Sequence, residues 1–162
     1  MTAIKNNNKV ISKRKNGVKL INSFRLKFNA RSVNESFARV AVTSFVSQLN
    51  PTVNELSELK TAVSEAVTNS IVHAYKDKNK AECYVWLSGE YFDNGKIVIE
   101  IKDRGCGIEN IEKAKEPLFT TDSENERSGM GFTIMSTFTD RLKVRSKVMK
   151  GTTVTLEKYI TI

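Results

Sequence analysis

The sequence predicts an α+β fold, a two-layer sandwich with helices on one face of a mixed, mostly antiparallel sheet. Three observations carry that prediction. The apolar spacing switches between a two-residue and a helical period, in the order β-α-α-β-β-(loop)-α-β-β. The helices fall in groups between hairpins instead of alternating with single strands. With 162 residues, 40% of them apolar and 27% charged, the chain is suited to one soluble domain that buries its own core.

The elements follow in order. Ser23–Asn29 alternates Phe24, Leu26 and Phe28 with Arg25 and Lys27, the pattern of a half-buried strand. Ser32 precedes Glu35 by three residues, a capping box, and Phe37, Val40, Ala41, Ser44 and Phe45 then recur at helical spacing up to Leu49. Asn50-Pro51 breaks this helix. Thr52 and Glu55 repeat the capping box ahead of a long second helix with Leu56, Leu59, Val63, Ala66, Val67, Ser70 and Ile71 on one side. Cys83–Phe92 and Lys96–Lys102 are rich in Val, Ile and aromatics, and Asp93-Asn94-Gly95 turns them into a hairpin. A long loop from Gly107 to Ser128 follows, with a short helix expected near Glu109–Lys115. A third helix is expected from about Gly129 to Thr139. Leu142–Lys147 and Thr152–Tyr159 form a second hairpin, turned at Met149-Lys150-Gly151.

The formal charge of +8 points to a polyanionic partner only until it is located. Residues 1–28 hold eight basic side chains and no acid, and beyond them eighteen bases face eighteen acids. No direct DNA binding is therefore expected of the folded body. Residues 1–22 are expected to be a basic, disordered extension, either a solvated tail or a charged tether, and residues 23–162 the functional domain. No apolar run is long enough for a membrane span or a signal h-region. Cys83 and Cys106 are too few for a disulfide framework and lack neighbours at metal-ligand spacing, so a cytoplasmic setting is expected.

Three fragments can carry chemistry. Glu65 and Asn69, four apart, share one side of the second helix beside its apolar stripe. They are either an ordinary solvated pair, or an amide oxygen for Mg²⁺ with a carboxylate placed to take a proton. His73, one turn on, reads as a packing or hydrogen-bonding histidine in preference to a ligand. Asp103-Arg104-Gly105-Cys106-Gly107 leaves a strand, so a carboxylate sits where it can accept from an exocyclic amino group, with glycines that let backbone approach a ligand. A plain turn explains it equally. Arg127-Ser128-Gly129-Met130-Gly131 opens the third helix, where free N–H groups attract phosphate. Gly89 and Gly95-Lys96 mimic a P-loop, but Ile97 stands where Ser or Thr is required.

The order of these fragments, E-x-x-x-N on a helix, D-x-G-x-G after a strand, a long loop, G-x-G opening a helix, then Gly151-Thr152-Thr153, resembles the GHKL (Bergerat) ATP-binding fold of gyrase, Hsp90, histidine kinases and MutL. Within that group Asn34–Val40, Ser64–Asn69, Pro117–Thr121 and Glu126–Met135 resemble the anti-sigma F factors, the SpoIIAB family, of endospore-forming bacteria. The resemblance spans about Phe24 to Tyr159. It implies a homodimer that inhibits sigma factor F and, as an ATP-dependent serine kinase, phosphorylates the anti-anti-sigma factor SpoIIAA. An ATP-gated sigma-binding module without kinase activity is the alternative. By resemblance Glu65 is the general base, Asn69 ligates Mg²⁺ and Arg127 contacts the terminal phosphate. Asp103 reads adenine with Thr68 and Thr152 nearby, and Gly105, Gly107, Gly129 and Gly131 shape the nucleotide loops. Gly107 to Ser128 would be the ATP lid, and Arg39 on the first helix a position that engages sigma factor and anti-anti-sigma factor. Arg104, Cys106 and Ala74 depart from the family pattern, as does the basic head.

Overall fold

The computed structural model describes residues 14–15, 17–76, 78–116 and 129–161. Two strands, β1 (Arg14–Lys15) and β2 (Val18–Asn29), lead into helix α1 (Val33–Val46), a short 3-10 turn at Ser47–Leu49 and helix α2 (Val53–Val72). Strands β3 (Tyr84–Phe92) and β4 (Lys96–Lys102), helices α3 (Ile111–Ala114) and α4 (Gly131–Phe138), and strands β5 (Arg141–Lys147) and β6 (Gly151–Tyr159) complete the order. The sheet runs β1-β2-β3-β4-β6-β5. Every pairing among the described residues is antiparallel, where a mixed, mostly antiparallel sheet was expected.

Helix α2 is the central beam. Thr52 accepts a hydrogen bond from the Glu55 backbone N–H, and the Glu55 carboxylate accepts from the Thr52 backbone N–H at 2.8 Å, so both arms of the expected capping box form. The helix buries Leu59, Ala62, Val63, Ala66, Val67, Ser70 and Ile71, a stripe at i, i+3, i+4 spacing. Against it lie the inward side chains of the sheet, Val85, Leu87, Ile97, Ile99, Ile101, Val154 and Leu156. At its C-terminus the Lys80 ammonium donates to the Ile71 carbonyl at 2.7 Å, a cation at the negative end of the helix dipole.

The β3–β4 hairpin has the expected form. Its turn closes with Gly95 at φ 77 and the Asn94 side chain accepting from the Lys96 N–H. Gly89, half of the mimicked P-loop, lies inside β3, and a Cβ there would sit 2.3 Å from the Phe24 ring that covers it. It is a packing glycine.

Three expectations are corrected. Residues 18–22 belong to β2, pairing as far as Leu20 with Phe92 across a bulge, and are not part of a disordered extension. Val18, Leu20 and Ile21 are apolar, but the Lys- and Asn-rich sequence before them hid a strand half of whose side chains are exposed. The capping box read at Ser32 does not form: Ser32 has αR dihedrals and makes no side-chain cap. The Glu35 carboxylate instead accepts from the Thr68 hydroxyl of α2 at 2.9 Å, a tertiary contact in place of a local one. The third helix starts at Gly131, because Gly129 takes φ 62, in the left-handed region outside a right-handed helix.

Candidate functional site

The strand-end loop after β4 explains itself once Asp103 is placed. Alternation along β4 turns Ile101 and Asp103 inward and Lys102 and Arg104 outward, so the carboxylate enters the protein and is only 3% exposed. Its Oδ1 accepts from the Gly105 N–H at 2.9 Å and the Thr152 N–H at 3.0 Å, and its Oδ2 accepts from the Ser70 hydroxyl at 3.2 Å. Burial pushes the Asp103 pKa up, opposed by those three hydrogen bonds.

The flanking glycines are required by close backbone approach. A Cβ on Gly105 would meet the Ala74 carbonyl oxygen at 2.0 Å, where the Cys106 N–H donates to that same oxygen. Gly107, at φ 75, would meet the Lys147 carbonyl oxygen at 2.3 Å. From there the chain is tied to β5, the Ile108 N–H donating to the Ser146 hydroxyl at 2.8 Å, which also lies 2.8 Å from the Thr152 hydroxyl. The expected lid is thus anchored at its root and carries α3, capped by the Asn110 side chain.

Across from Asp103, α2 presents Glu65 and Asn69 toward the first turn of α4. An ideal Cβ on Gly131 would lie 3.2 Å from the Glu65 carboxylate and 3.4 Å from the Asn69 amide nitrogen. Only a glycine leaves that cradle open. Between these walls lies a cavity of about 680 Å³, within the range that takes a small-molecule cofactor. Glu65, Thr68, Asn69, Asp103, Gly107, Gly129, Gly131 and Thr152 all line it, as do Ser70, His73, Ala74 and Cys106.

The structure therefore brings most of the expected residues together. Gly105 shapes the loop from behind, against Ala74. Arg39 sits apart on α1, where its guanidinium donates to the Ser64 hydroxyl at 3.2 Å. Arg127 and the Pro117–Thr121 stretch lie outside the described residues. Sequence reasoning missed three residues. Ser70 was assigned to the apolar stripe, although a hydroxyl there, one position after Asn69, signals a buried polar partner. Glu35 showed only the sign of a local cap and Ser146 none, since each acts through a contact distant in sequence.

Comparison with known proteins decides the family. Residues 28–158 match the histidine kinase-like ATPase domain family. Curated relatives named "Anti-sigma F factor" include one from Geobacillus sp., 55% identical over 86% of this chain and 94% of its own length. Others come from Priestia megaterium, 50% identical with the same coverage, and Clostridium botulinum, 52% identical over 87% of this chain and 96% of its own. The chain belongs to the anti-sigma F factor family, with a GHKL-type ATPase domain.

Solved structures agree on the fold of this family. The RsbU and RsbW domains of a Mycobacterium tuberculosis protein superpose with a TM-score of 0.62 at 14% identity, covering 86% of this chain and 33% of that one. The histidine kinase domain of an Erythrobacter litoralis blue-light activated kinase gives 0.50 at 16% identity, covering 78% and 60%. The family fold implies ATP binding, and the cavity fits it: a buried carboxylate at one end, glycine-lined backbone at the other. Among the described residues no group of three His, Cys, Asp or Glu side chains could hold a metal by itself. Asn69 brings one amide oxygen to the cavity, a donor type that can hold Mg²⁺ only together with nucleotide phosphates. No helix among the described residues is long and apolar enough to cross a membrane.

Proposed function

We propose that this chain inhibits sigma factor F and, using ATP and Mg²⁺, phosphorylates a serine of the anti-anti-sigma factor SpoIIAA, acting as a cytoplasmic homodimer. The observation that carries the reading is the meeting of Glu65 and Asn69 at the Gly131 cradle, in a cavity that Asp103 also lines. Asp103 accepts the adenine amino group through Oδ2, while Ser70, Gly105 and Thr152 hold the carboxylate still. Asn69 offers its amide oxygen to Mg²⁺, which supplies charge neutralisation on the phosphates.

Glu65 accepts the proton of the incoming serine hydroxyl. The serine oxygen then forms a bond to the terminal phosphorus, and the bond from that phosphorus to the bridging oxygen breaks, leaving ADP. Phosphoryl transfer needs little more from the protein than positioning, charge stabilisation and one base. Arg127 is assigned to the developing charge on the terminal phosphate. Arg39, on a different helix from the nucleotide groups, marks the partner surface, and another face of α1 exposes Val33, Phe37 and Val40. Supporting the partner assignment are the names of the curated relatives.

The test is a transfer assay with labelled ATP and SpoIIAA. Label is expected on one SpoIIAA serine and is expected to vanish on chelating Mg²⁺. Sigma binding that responds to ATP with no label on SpoIIAA would leave an ATP-gated binding module in place of a kinase.

A further inference from the structure

We propose that the outer face of the sheet binds single-stranded nucleic acid, along a row of side chains that crosses five strands. Strand register pairs Lys27 with Trp86, Trp86 with Lys102, Lys102 with Thr153, and Thr153 with Arg145. Their neighbours Val85, Leu87, Ile101 and Val154 are buried under the helices, so alternation turns this row to the opposite face, which no described helix covers. At roughly 4.8 Å between strands the row is about 19 Å long. It holds three cations, one aromatic ring and no acid.

Arg104 adds a fourth cation, its guanidinium carbon 4.9 Å from the Trp86 ring centroid. The Lys27 ammonium lies 3.9 Å from the Tyr84 ring centroid and 5.6 Å from that of Trp86. A second cavity, of about 550 Å³, opens at this end of the row and is lined by Lys27, Lys78, Tyr84, Trp86 and Arg104, with one acid, Glu82, among them.

The neutrality of the body is an average over two unlike ends. The next row of the same face carries one acid, Glu100, in an exposed pair with Arg145 at 3.6 Å. The remaining acids of the face, Glu90 and Glu157, lie one row further on, and Glu157 is taken up by Lys96 and Lys143 at 2.7 and 3.0 Å. Charge alone would suit any polyanion. Trp86, with the planar Arg104 guanidinium lying over its ring, adds an aromatic–guanidinium stack of the kind that bases extend, flanked by cations. An acidic polypeptide has no use for that stack.

This site is separate from the ATP cavity, and its failure would leave the kinase reading untouched. The test uses the full chain with its ATP cavity saturated by a non-hydrolysable analogue and Mg²⁺. Trp86 is the only tryptophan, so its fluorescence reports this face alone. Titration with 12-mer oligo-dT or oligo-U at low salt is expected to quench it saturably, and the tighter of the two identifies DNA or RNA as the source. The logarithmic salt slope is expected near −3, about −0.7 for each of four neutralised phosphates. K102E/R145E is expected to weaken binding at least tenfold and to lower the slope by about 1.4. W86A, followed by anisotropy, is expected to lose about fivefold or more, with W86F between it and the native chain. The proposal is overturned by absent quenching, by polyglutamate of equal charge competing as well as the oligonucleotides, or by K102E/R145E binding undiminished.

Discussion

Replacing Asp103 separates its two tasks, holding the loop and reading the base. Asp103→Asn keeps an oxygen at Oδ1 for the Gly105 and Thr152 N–H groups, and an amide nitrogen in place of Oδ2 can donate to the Ser70 hydroxyl. All three bonds survive, and the cost of burying a charge disappears. Stability is therefore expected within about 1 kcal/mol of the native chain. Asp103→Ala instead orphans two buried backbone N–H groups at about 1–3 kcal/mol each, a loss of roughly 2–6 kcal/mol. The base-reading task fails in both. An amide N–H₂ facing the adenine amino group removes a charge-assisted bond, worth about 1.5–3 kcal/mol or roughly 10–150-fold in ATP affinity. A 6-oxo purine then becomes the better partner, so Asp103→Asn is expected to gain on ITP as it loses on ATP. Thermal denaturation and calorimetric titration with ATP and ITP measure both effects. ATP affinity within threefold of native, or no shift toward ITP, would refute Asp103 as the adenine reader. Destabilisation of Asp103→Asn equal to that of Asp103→Ala would refute the hydrogen-bond reasoning.

Three further predictions extend the account. Burial raises the Asp103 pKa, so the folded chain keeps its proton where the unfolded chain has lost it. Its contribution to stability is then greatest below the unfolded value and falls as pH rises through the folded one, while ATP affinity, which needs the ionised acceptor, falls as pH drops through that same raised value. Titrations across the acid range are expected to show this affinity loss in the native chain and not in Asp103→Asn. Gly131→Ala places a methyl 3.2 Å from the Glu65 carboxylate at a helical position that favours Ala, so the melting temperature is expected to hold or rise while transfer to SpoIIAA slows by up to about 100-fold. Thr52→Ala removes the formed capping box and is expected to cost about 0.5–2 kcal/mol in denaturant unfolding with nucleotide affinity unchanged.

What the sequence disclosed was local. The hairpin at Asp93-Asn94-Gly95 and the start of α2 at Thr52 are written within four residues, and the structure has both. The same capping signature at Ser32 misled, because Glu35 is recruited by Thr68 across 33 positions, a contact no window contains. Residues 18–22 misled in the opposite sense, three aliphatic residues being read together with the polar stretch before them while their backbone pairs with β3. The site was legible as an order of fragments, since Glu65, Asn69, Asp103 and Gly131 each have a bland local explanation. Their convergence on one cavity depends on sheet register and on the approach of α4 to α2, which only tertiary packing supplies.

The central claim is that Glu65 takes the proton of a protein serine while other groups hold the nucleotide. Glu65→Gln measures it directly, by comparing ATP affinity, sigma factor binding and label transfer to SpoIIAA in the same preparation. The account predicts native-like affinity for ATP and sigma factor with transfer lowered at least 100-fold. Transfer at the native rate would contradict it.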